Sequence, residues 1–241
     1  MLFPFFVYFL YLLEIISKQY NKERALIMDY SFHIYNKLSC DGITMATEKF
    51  LTDFTAKNNK TNGAGTSLTE NLNDAPLKNP SLSPVVVCVG SDLAVGDSSL
   101  GPIVGSMLKY KTQGLRYFLY GTLAAPVTAK EIKYVRSFLK KTHPNHPIIA
   151  IDAAVGEKGD IGLIRVTNNP LFPGAGAQKQ LGELGDVSIL GIVAEKSVTN
   201  YGILNTTRLN LVYTMAEIIS EGVAAFLWNS CQTQNFVLKN A

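Results

Sequence analysis

Five short, largely apolar runs, four of them rich in β-branched residues, recur between Val85 and Ala194, with helical patterns between and after them. They are VVVCVG from Val85, LRYFLYGT (Leu115 to Thr122), IIAIDAAV (Ile148 to Val155), IGLIRVT (Ile161 to Thr167) and SILGIVA (Ser188 to Ala194). Continuous apolar runs of this length mark strands covered on both faces. Leu100, Ile103, Val104, Met107 and Leu108 fall at helical spacing, with Pro102 suited to a first turn. Thr128 and Glu131 form a capping-box signature ahead of Ile132, Val135 and Leu139, and Lys140 and Lys141 suit the helix end. A last helix carries Leu211, Val212, Met215, Ile218, Ile219, Val223 and Phe226. The alternation predicts an α/β fold, a three-layer α/β/α arrangement with a mostly parallel sheet. With 241 residues, 47% of them hydrophobic, the chain can fill one such core and is too short for two full-sized domains.

The rest of the chain reads as additions to that core. Residues 1–27 open with an apolar run from Leu2 to Leu13, shorter than the roughly 20 residues a bilayer-spanning helix needs. Residues 1–17 are thus the one segment with a membrane alternative; a docked helix, or a soluble start at Met28, are the others. Residues 28–54 are expected as a helical lead-in, with Ile43, Ala46, Phe50 and Leu51 on one face. Residues 55–84, rich in Asn, Thr and Ser, are expected as a flexible linker. The main domain is expected over 85–230, followed by a tail, 231–241.

Charge and cysteine usage narrow the function classes. Lys and Arg number 22 against 19 Asp and Glu, a net charge of +3, which gives no electrostatic case for nucleic acid. Cys40, Cys88 and Cys231 make neither a disulfide framework nor a metal cluster, so a reducing cytoplasm is expected. No nucleotide-binding glycine motif is present. His143 and His146, in HPNHP, read as an exposed turn.

Ligands on parallel sheets gather at the carboxyl ends of the strands, and two aspartates are expected there. The first run leads into CVGSDLAVGDSSLGPIVG, where Asp97 lies near a helix amino end. That position favours the ionised carboxylate, and simple capping is the alternative role. Asp152 interrupts an apolar strand, a costly place for a carboxylate without a partner or a raised pKa; loop amides could equally satisfy it. Together they could supply a general base and a general acid. Gly174 and Gly176, in a Pro- and Gly-rich segment, could present amides to an oxyanion with Lys179 nearby, or form an ordinary connection.

The segments VVVCVGSDLAVGDSSLGP, GTLAAPV, IIAIDAAVGE, LFPGAGAQKQLGELGDVSILGIV and NTTRLNLVYTMA, in this order, resemble the sporulation protein YyaC family. More distantly they resemble the spore germination protease and the hydrogenase-maturation endopeptidases. The resemblance implies a phosphorylase/hydrolase-like fold and an aspartate-dependent endopeptidase of the sporulating cell or forespore cytoplasm. Its implied partner is a protein substrate such as a small acid-soluble spore protein, and a homo-oligomer is compatible with it. The D-x-L-G-P turn and I-D-A strand end of the germination protease fall on Asp97 and Asp152. The turn here is one residue longer, Asp97-Ser98-Ser99-Leu100-Gly101-Pro102, which makes Asp92 the alternative carboxylate. The maturation endopeptidases recognise nickel with a loop histidine that PGAGAQK lacks, so no metal or cofactor is expected, and metal-assisted hydrolysis is the weaker alternative. The function class opposed to the peptidase is a non-catalytic sporulation factor that keeps the fold as a binding module.

Overall fold

The computed structural model describes residues 29–62, 83–92, 97–173, 181–196 and 207–239, without the side chains of 55–62, 97 and 232–239. Its elements, in chain order, are β1 (Asp29–His33), α1 (Ser39–Asn62), β2 (Val85–Cys88), a 3-10 turn (Asp97–Ser99), α2 (Leu100–Lys111) and β3 (Phe118–Tyr120). They continue with α3 (Ile132–Thr142), β4 (Ile148–Gly156), a second 3-10 turn (Lys158–Asp160), β5 (Leu163–Thr167), β6 (Val187–Glu195) and α4 (Leu209–Lys239). The strands form one sheet in the order β1-β5-β6-β4-β2-β3. Pairs β2/β3, β2/β4 and β4/β6 are parallel, while β5 runs antiparallel to both β6 and β1. The α/β fold with a mostly parallel sheet is thus as the sequence predicts.

Alternation along the strands divides the core in two. Val86, Cys88, Ile149, Ile151, Ile164, Val166 and Ile189 face one side, under α1, α2 and α4. Val85, Val87, Val89 and Ala150 face the other, under Ile132 and Leu139 of α3 and the buried Leu171 and Leu184. At the start of α3, the Glu131 carboxylate accepts from the Thr128 N–H at 3.0 Å and from its hydroxyl, half of the expected capping box. Those bonds, the hydroxyl's above all, hold the Glu131 carboxyl below its usual range.

Two expectations at the amino-terminal side need correction. The lead-in 28–54 is not wholly helical: residues 29–33 form an edge strand paired with β5. Nor is it peripheral, because Ile43, Ala46, Phe50 and Leu51 lie in the main core. The Thr44 hydroxyl donates to the Gly222 carbonyl at 2.9 Å, joining α1 to α4. Helix α1 also runs on to Asn62, so the first eight residues assigned to a flexible linker have helical backbone; 63–82 lie outside the described residues, as do 1–28.

Helix α4 is long and apolar enough, from Leu209 to Cys231, to cross a membrane by length and composition. In the fold its apolar stripe, Val212, Met215, Ile219, Val223 and Leu227, is buried in the same core as α1 and α2.

At the amino edge of the sheet, the Asp186 carboxylate accepts the Ile148 N–H at 2.8 Å, and burial pushes its pKa up against that hydrogen bond. A carboxyl with a raised folded pKa favours the native state while protonated, and that gain is lost as pH rises through the folded value. Asp186→Asn keeps an acceptor for Ile148 and removes the ionisation. Its melting temperature is expected to equal or exceed that of the wild type at pH 7, with the difference vanishing near pH 3; a large drop at pH 7 would show that the charge itself stabilises the strand start.

Candidate functional site at the switch point of the sheet

From β2 the chain leaves through α2 on one face to β3, then returns through α3 on the opposite face to β4, on the other side of β2. The two connections diverge between β2 and β4, opening a crevice at the carboxyl ends of those strands, the usual ligand position on open α/β sheets.

Asp152 stands in this crevice. Ile149, Ala150 and Ile151 are buried, and β4 becomes half-buried from Asp152 onward, so the carboxylate is the first residue past the closed core. It shares a strand face with Ala150, the face of α3. Contrary to expectation it does not end its strand, which continues to Gly156. The Ala153 N–H donates to Asp152 Oδ1 at 2.8 Å.

Partnership along β4 is uneven. Strand β2 pairs with it only from Ile148 to Ile151, with the Val89 N–H on the Ile151 carbonyl at 2.7 Å, whereas β6 accompanies it to Gly156. From Ala153 to Gly156, the β2-side edge of β4 has no neighbouring strand among the described residues.

The turn after β2 closes onto itself beside that edge. The Ser91 N–H donates to the Ser98 carbonyl at 2.7 Å and the Gly90 N–H to the Val127 carbonyl at 2.9 Å. Residues of the 3-10 turn Asp97–Ser99 lie within 8 Å of residues of β4, Cα to Cα. Gly101 lets the start of α2 press onto the chain just past β2: a Cβ there would sit 2.0 Å from the Val89 carbonyl oxygen. Asp97 is thus carried to the side of β4 by its backbone, its carboxyl lying outside the described residues. Asp92 is described and exposed.

Gly174, Gly176 and Lys179 also lie outside the described residues, but the arms that flank them are placed. Leu171 and Leu184 exchange two main-chain bonds of 2.8 Å and are buried on the α3 side, the face that Asp152 shares. Arg136 of α3 donates to the Leu181 carbonyl at 3.4 Å.

Other chemistries find less support nearby. Cys88, at the end of β2, is fully buried and burial pushes its thiol far up, which disfavours a thiolate nucleophile. Among the described residues no group of three or more His, Cys, Asp or Glu could hold a metal ion. His143, expected in an exposed turn, is instead 7% exposed, its Nε2 2.8 Å from the Tyr120 hydroxyl and its ring against Phe118. Burial lowers its pKa, with His146 adding to the effect. Apolar residues ahead of HPNHP, Phe118 and Phe138, were the signal for that burial.

A family model described as "Protein of unknown function (DUF1256)" matches residues 56–222, more than half of the chain and all of the switch-point site. The chain belongs to this family. The chain is 45% identical over 140 residues to the "Uncharacterized protein YyaC" of Bacillus subtilis (strain 168), covering 58% of this chain and 67% of that relative. The resemblance to YyaC read from the five segments is thereby borne out.

Proposed function

We propose that this member of the DUF1256 family is a sporulation-associated endopeptidase in which Asp152 and an aspartate of the 92–97 turn act on one water. The observation that carries the reading is the position of Asp152 in the crevice between β2 and β4, beside the turn that bears Asp92 and Asp97. The edge of β4 from Ala153 to Gly156, which has no neighbouring strand among the described residues, supports it further, since an extended peptide can add to such an edge through its main chain.

In the proposed reaction an ionised carboxylate takes a proton from water as its oxygen attacks the peptide carbonyl. The second, protonated carboxyl gives its proton to the leaving nitrogen as the C–N bond breaks. The proposed compartment is the cytoplasm of the sporulating cell, and the proposed substrates are small acid-soluble spore proteins.

The test is incubation of the purified protein with those proteins and measurement of fragment masses, with Asp97→Asn and Asp92→Asn beside the wild type. Discrete internal cleavage, lost in one of the two variants, is the expected result and identifies the second acid. Binding of the spore proteins without any cleavage would overturn the peptidase reading in favour of a binding module, which the extra serine beside Asp97 otherwise favours.

A further inference from the structure

Beyond Asp152, strands β4 and β6 continue past the end of β2, and at their tips lies a cleft of about 480 Å³. It is a separate place: four residues of strand, about 13 Å, separate Asp152 from Gly156. Each wall carries one acid and one base, Glu157 with Lys158 after β4 and Glu195 with Lys196 at the end of β6; Asp160 and Arg165 complete the lining.

The framework is held by main-chain bonds. The Lys196 N–H donates to the Gly156 carbonyl at 2.7 Å, the Asp160 N–H to the Glu157 carbonyl at 2.9 Å, and the Gly162 N–H to the Ile192 carbonyl at 2.9 Å. Arg165 Nη2 donates to Asp160 Oδ2 at 2.8 Å, both side chains being partly exposed. That bond orients the guanidinium and occupies one nitrogen, leaving further N–H donors of the fork for a ligand carboxylate. Among the described residues, Glu157, Lys158, Glu195 and Lys196 make no ion pair with one another or with anything else.

The cleft is open to solvent, and its Glu157, Lys158, Glu195 and Lys196 side chains are exposed. Its balanced charge disfavours a simple anion or a simple cation, because either would meet as many like charges as unlike ones. A ligand with both charges meets complementary groups throughout, its carboxylate at Arg165 and its ammonium between Glu157 and Glu195. We propose that the cleft binds a short zwitterionic segment of two or three residues, either a free peptide or a polypeptide stretch bearing one acidic and one basic side chain. The assignment stands apart from hydrolysis at Asp152 and does not need it.

The test is titration of isotopically labelled protein, followed by amide resonances, with four probes. These are trialanine with free termini, N-acetyl-trialanine, trialanine amide, and the doubly capped peptide Ac-Glu-Ala-Lys-NH2. Trialanine is expected to shift the resonances of 156–165 and 195–196, and blocking either terminus to weaken binding about tenfold or more. Arg165→Gln is expected to weaken trialanine to a similar degree. Binding of Ac-Glu-Ala-Lys-NH2 at least as tight as trialanine assigns the site to a polypeptide stretch, and weaker binding to a free peptide. Equal affinity for the free and the blocked trialanines, or no shift in this region with any probe, overturns the proposal. Because the blocked probes act on the wild-type protein, the outcome does not depend on whether Arg165→Gln folds.

Discussion

Asp152→Asn is expected to lower peptide hydrolysis by about a thousandfold or more while leaving the chain folded. An amide cannot exchange a proton with the attacking water or the leaving nitrogen, and acid–base groups of this kind contribute about 10²–10⁴-fold each. The native contact survives, because the amide oxygen can still accept the Ala153 N–H that Asp152 Oδ1 accepts at 2.8 Å. Fragment mass and thermal unfolding on the same sample check both halves. Unchanged cleavage by a folded variant would remove Asp152 from the chemistry.

Gly105→Ala is expected to be among the most damaging small substitutions in the scaffold of the site. A Cβ at Gly105 would lie 1.9 Å from the carbonyl oxygen of Gly121. Gly121 is itself pressed onto β2, where an added Cβ would lie 1.8 Å from the Cys88 carbonyl oxygen, and its φ of +88° is one that side-chain-bearing residues rarely adopt. Main chain stands on both sides, so no side chain can yield, and α2 must move off the sheet. The expected loss is about 3 kcal/mol, or about 6–12 °C in melting temperature for a chain of this size. Gly159→Ala is the control: nothing lies within 4 Å of its added Cβ, and its effect should stay within about 0.5 kcal/mol. Equal melting temperatures for the two variants would refute the close-approach argument.

The parts of the fold that could be read from sequence are those where burial on two faces leaves a compositional trace. Val85 to Cys88, Ile148 to Ile151 and Val187 to Val193 are dense in β-branched residues because helices or loops cover both sides of them. The edge strand β1, Asp29–His33, carries no such trace, since half of its surface faces solvent and its place depends on pairing with β5. The polar end of α1 also misled: Asn58, Asn59, Thr61 and Asn62 favour loops by composition, yet they extend a helix already anchored by Ile43, Phe50 and Leu51. At the candidate site, a lone acid in an apolar run pointed to Asp152. The charged cleft could not be seen in advance, because Glu157 and Lys158 come beside Glu195 and Lys196 only when β4 pairs with β6.

The seam between α1 and α4 bears on where the fold begins. The stretch recognisable as DUF1256 starts at residue 56, inside α1 and after every residue through which α1 enters the core. A chain cut to that boundary would keep Asp92, Asp97 and Asp152 and lose Ile43, Ala46, Phe50 and the Thr44 bridge to Gly222. The uncovered partner would be α4, the helix with enough length and apolarity to enter a bilayer. The family match and the packed core therefore have different limits in this protein, and Ile43, Ala46, Phe50 and Leu51 form part of the cover over α4.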